Sequence, residues 1–136
     1  MISFEINYGA LLGGARISKK RVCRIFAGVS RLFPKYKRAD VSIAFVSEKE
    51  MERLNSCYHG GRGITDVLSF NDDTKGRLLG EIILHYPRAV AQGKEHRHGT
   101  MREIEILIAH GLLHLLGFDH RTKKEEERMF KIQNRL

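Results

Sequence analysis

Glu103–His120, EIEILIAHGLLHLLGFDH, is the stretch on which the fold turns. Its apolar positions Ile104, Ile106, Leu107, Ile108, Leu112, Leu113, Leu115 and Leu116 are too dense for a helix with one wet side. They predict a helix buried over most of its circumference. Within it His110 and His114 stand at i and i+4, which sets both imidazoles on one helical face, within reach of a single ion. Gly117 follows. Glycine leaves a helix through the left-handed region without a Cβ clash, so a sharp bend there returns His120 toward the pair.

Three neutral imidazoles at about 2.0–2.1 Å with a fourth position open form a catalytic zinc arrangement rather than a closed structural one. Zinc in such a set is a Lewis acid and lowers the pKa of a coordinated water to about 7. A structural site needs a fourth protein ligand, and Cys23 and Cys57 lie far off in sequence. Three histidines at this spacing around a glycine outweigh the alternative of ordinary hydrogen-bonded core histidines. The same HxxxHxxGxxH spacing occurs in metzincin proteases, which carry glutamate directly after the first histidine as general base. Here that position is Gly111, so peptide hydrolysis loses its base.

Working outward, 136 residues suit one α+β domain spanning residues 1–136. Hydrophobic residues at 42% and only two prolines argue against disorder. No apolar run approaches the roughly 20 residues a membrane span needs, and MISFEINYG does not read as a signal peptide. Two distant cysteines make no disulfide framework, which points to a reducing cytoplasm. The net charge of +8 is localised. Between Asn7 and Ala39 stand Arg16, Lys19, Lys20, Arg21, Arg24, Arg31, Lys35, Lys37 and Arg38, with no acidic residue among them. Such a face attracts a polyphosphate chain without regard to its sequence, the plainer alternative being a solvated face that keeps the chain soluble.

Alternation at Ile2–Tyr8 and Val41–Phe45 predicts strands, as do TDVLSF (Thr65–Phe70) and LLGEIILHY (Leu78–Tyr86). A helix is expected from Ser18, as N-cap, to Phe33, its basic residues opposite Val22, Ile25, Phe26, Val29 and Phe33. Ser47 with Glu50, and Thr122 with Glu125, read as capping boxes opening two more helices. Pro87 to about His98 is weakly helical and interrupted at Gly93. YHGGRG (Tyr58–Gly63) is a glycine-rich loop without a nucleotide-binding fingerprint. About four strands in a mixed sheet and five helices result, with the zinc site on a central buried helix. His85, His96 and His98 are expected to be structural or exposed, and Asp119 either orients a ligand imidazole or serves the turn.

In HGLLHLLGFDH (His110–His120), TDVLSF, LLGE (Leu78–Glu81) and Leu54–Asn55, the chain resembles the YbeY-type endoribonucleases, the ribosomal RNA maturation factors. The resemblance implies a metal-dependent nuclease specific for single-stranded RNA, acting in 16S ribosomal RNA 3′-end maturation and ribosome quality control. It implies one zinc ion on His110, His114 and His120. The small ribosomal subunit and assembly factors are its expected partners, with neither DNA nor membrane. The family's active-site arginine, in the loop before the TDVLSF-like strand, falls here on His59. Its place is open to Arg62, three residues on, as a phosphate clamp, or to His59 as donor or general acid, against both being ordinary loop residues. The nucleophile, water or the ribose 2′-hydroxyl, is left open. The competing class is a ribosome-assembly RNA-binding factor with mainly structural zinc and little or no cleavage.

Overall fold

The computed structural model describes residues 1–9, 17–36, 38–58, 67–71, 78–118 and 122–135. Strands β1 (Ser3–Asn7), β2 (Asp40–Phe45), β3 (Val67–Asn71) and β4 (Leu78–Leu84) form a sheet in the order β1-β2-β4-β3. The first three in that order run parallel, and β3 closes one edge antiparallel to β4. Helices α1 (Lys19–Leu32), α2 (Glu48–Tyr58), α3 (Tyr86–Glu95), α4 (Gly99–Leu115) and α5 (Lys123–Asn134) complete the described α+β architecture.

Period-two patterning divides the helices between the two faces of the sheet. Val41, Ile43 and Phe45 of β2, with Ile82 and Leu84 of β4, are buried against Val22, Ile25, Phe26 and Val29 of α1 and Ile104, Ile108 and Leu112 of α4. Ile83, which points the other way, packs with Met51 of α2. The core therefore sits between the sheet and the α1–α4 pair, while α2 covers the opposite face. Caps fix where the helices begin: Ser18 Oγ, Ser47 Oγ and Thr122 Oγ1 accept from the amides of Arg21, Glu50 and Glu125 at 3.3, 3.2 and 3.1 Å. Glu50 also accepts from the Arg53 guanidinium at 2.6 and 3.0 Å, a bond that holds its carboxyl below the usual carboxylate range.

Two expectations are corrected around α3. The strand expected through Tyr86 ends at Leu84, because His85 Nδ1 lies 2.9 Å from the Val46 carbonyl as its donor and Tyr86 already begins the helix, with Pro87 in its first turn. Nor does Gly93 interrupt α3, which runs on to Glu95. A Cβ at Gly93 would stand 2.6 Å from the Gly99 carbonyl oxygen and 2.7 Å from its carbon, so this glycine lets α3 meet the start of α4 backbone to backbone. Backbone cannot give way as a side-chain tip does. Gly93→Ala is expected to cost about 1–3 kcal/mol, read as a lower urea midpoint at unchanged slope, and an unaltered midpoint would contradict so close an approach.

Candidate metal centre

Helix α4 buries ten of its residues, from Glu103 to Leu115, and leaves His110 and His114 half-buried on the remaining stripe. One helical turn sets the two rings with centroids 4.5 Å apart and planes at 79°, and their Nε2 atoms are 3.0 Å apart. Tetrahedral zinc with bonds of about 2.0–2.1 Å sets neighbouring nitrogens roughly 3.3 Å apart. The pair is thus spaced close to what one ion needs. From α5, Gln133 Oε1 lies 3.4 Å from His110 Nδ1. Accepting the Nδ1 proton, it favours the tautomer that leaves the Nε2 lone pair available.

Helix α4 ends through left-handed backbone at Gly117, as expected of the glycine. Gly117 has φ +97° and donates to the His114 carbonyl at 3.0 Å, and the Phe118 amide donates to Leu113 at 3.0 Å, a Schellman ending to α4. The Phe118 ring meets Phe33 edge-on at 5.4 Å and lies 5.4 Å from the Arg128 guanidinium, which anchors Phe118 between the end of α1 and α5. Asp119 and His120 lie outside the described residues, as do His59 and Arg62 of the glycine-rich loop.

A second group was not foreseen. His96 and His98, expected to be structural or exposed, are gathered with Glu103 in the α3–α4 corner. His96 Nδ1 is 3.0 Å and His98 Nε2 2.5 Å from the same oxygen, Glu103 Oε2. The three side chains each turn one donor atom inward, and these atoms lie within 4.8 Å of one another, a grouping of the kind that holds a metal ion. Its signal in the sequence was the HxH doublet followed five residues later by a glutamate that opens the apolar stretch of the next helix.

The basic helix also departs from a simple solvated face. Lys19, Lys20, Arg24 and Arg31 are exposed, but Arg21 pairs with Glu105, a buried carboxylate of α4 that also takes Arg102 at 3.0 Å. These side chains, with Arg24, Phe130 and Gln133, line a cleft of about 400 Å³. Gln133 belongs to both the cleft and the histidine pair, so a basic groove borders the candidate centre.

Residues 15–136 match the family model described as endoribonuclease YbeY. Among curated relatives bearing that description, one from Macrococcus caseolyticus is 39% identical over 109 residues, covering 74% of this chain and 71% of its own. One from Geobacillus sp. is 42% identical over 107 residues, covering 70% of this chain and 69% of its own. The solution structure of a Thermotoga maritima protein matches 99% of this chain and 85% of its own at 26% identity, with a TM-score of 0.58.

Proposed function

This chain belongs to the endoribonuclease YbeY family, a family of metal-dependent nucleases, and on that premise we propose that it cuts single-stranded RNA at one zinc ion held by His110, His114 and His120. The observation carrying this reading is the convergence of two ε nitrogens, 3.0 Å apart, on a helix otherwise sunk in the core. An ion held there supplies Lewis acidity and an acidified water.

The chain's own residues do the remaining work. His110 and His114 offer neutral nitrogens from a rigid helix, and Gln133 keeps the His110 Nδ1 proton in place. Arg24 and Arg102, lining the adjoining cleft, draw in the RNA backbone and hold it by its phosphates. Arg62 clamps a phosphate oxygen as charge develops, or His59 donates a proton to it, either one standing in for the family's loop arginine. The physiological substrate in this reading is 16S ribosomal RNA, met in the cytoplasm on the small subunit among its assembly factors, during 3′-end maturation and quality control. No helix among the described residues is long and apolar enough to cross a membrane.

Zinc-loaded protein is expected to cut a single-stranded RNA and spare the same sequence in a duplex, with activity lost to a chelator and restored by zinc. RNA bound tightly but left intact would favour the assembly-factor reading. Gln133→Ala is expected to weaken zinc binding about 10–100-fold, measured by competition with a chromophoric chelator. Unchanged affinity would remove Gln133 from the site.

A further inference from the structure

We propose that His96, His98 and Glu103 form a second site for a transition-metal cation, at the junction of α3 and α4, independent of His110 and His114. Glu103 is 2% exposed, and a buried carboxylate is stable only when its charge is met by partners or a cation. Both imidazoles present a nitrogen to the same oxygen, at 3.0 and 2.5 Å. These contacts are hydrogen bonds, and a cation entering the corner would replace their protons and spread the three donor atoms, all within 4.8 Å of one another, to about 3.3 Å apart. The His96 side chain is 52% exposed, so an ion and a water as further ligand have access from solvent.

The corner is shaped to hold this arrangement. Arg97, at φ +60°, and Gly99, at φ +75°, alternate with the two histidines, and left-handed backbone at a non-glycine residue is uncommon. Those reversals bring the imidazoles to a centroid separation of 5.5 Å over the Glu103 carboxylate. Two imidazoles and a carboxylate favour zinc or a neighbouring first-row metal over magnesium or calcium, which prefer all-oxygen shells. The positive end of the α4 dipole opposes a cation here, and the full charge of Glu103 offsets it. A bound ion would pin the end of α3 to the start of α4, beside the Gly93–Gly99 contact, and stabilise the folded chain by linkage.

The experiment counts zinc in the full chain. A His110→Ala/His114→Ala variant is expected to retain one equivalent of zinc, and its thermal midpoint is expected to rise when zinc is added. Adding His96→Ala should remove both the equivalent and the rise, while circular dichroism stays unchanged. A double variant without zinc, or one whose zinc survives His96→Ala, overturns the proposal and leaves Glu103 neutralised by hydrogen bonds alone. If the double variant does not fold, the comparison is wild type against His96→Ala: loss of one equivalent supports the site, and equal stoichiometry overturns it. RNA cleavage is not the readout, so failure here is distinguishable from failure of the nuclease reading.

Discussion

Replacing His114 with alanine is expected to lower zinc-dependent RNA cleavage more than about 100-fold while leaving the fold intact. Loss of an outer hydrogen-bond partner of a metal ligand costs about 10–100-fold, and loss of the ligand itself exceeds that. A hundredfold corresponds to about 2.7 kcal/mol of transition-state stabilisation. His114 lies half-buried on the stripe of α4 that faces away from the core, so its removal opens no cavity among Ile104, Ile108 and Leu112. Alanine is also the stronger helix former, so α4 does not weaken. Initial rates on a labelled single-stranded RNA at saturating zinc, with circular dichroism alongside, give the answer. A variant that folds and cuts at the wild-type rate would place the chemistry elsewhere.

Phe26→Ala is expected to destabilise the fold by about 3–5 kcal/mol. Phe26 is fully buried between α1 and the sheet, and its ring stands 4.6 Å from that of Phe4 on β1. Truncation removes the transfer energy of the ring, leaves a cavity that β-strand backbone cannot collapse to fill, and breaks an aromatic pair worth about 0.5–1.5 kcal/mol. Domains of this kind have about 5–15 kcal/mol in total, so urea unfolding should shift markedly. Phe130→Ala is the control: that ring is 46% exposed, and its loss should stay within about 0.5 kcal/mol. Equal effects at the two positions would contradict the assignment of the core.

What could be read from the sequence was what depends on local geometry. The density of apolar residues in α4 announces its burial, and the i, i+4 spacing of His110 and His114 follows from the helix itself. Ser18, Ser47 and Thr122 act within three residues of themselves, so their caps were legible too. Features that need a distant partner were not. Gly93 looks like a weak point in α3 until the Gly99 carbonyl is found against it. Glu105 looks out of place in an apolar helix until Arg21 is brought alongside from α1. The His96, His98 and Glu103 cluster depends on left-handed backbone at Arg97 and Gly99, which periodicity cannot register.

The uninterrupted run of α4 from Gly99 to Leu115 sets a ruler between the Glu103 carboxylate of the corner cluster and the histidine pair. Glu103 and His110 stand seven positions apart, nearly two full turns, so both fall on much the same side of the helix, roughly 10 Å apart along its axis. Paired-ion phosphodiesterases straddle one phosphate with cations only about 3.5–4 Å apart. Cations held at these two places would stand too far apart to share a phosphate, so the proposed cleavage is expected to need only the ion at the histidine pair, and zinc in the corner is expected to change the melting of the chain and not its rate of cutting.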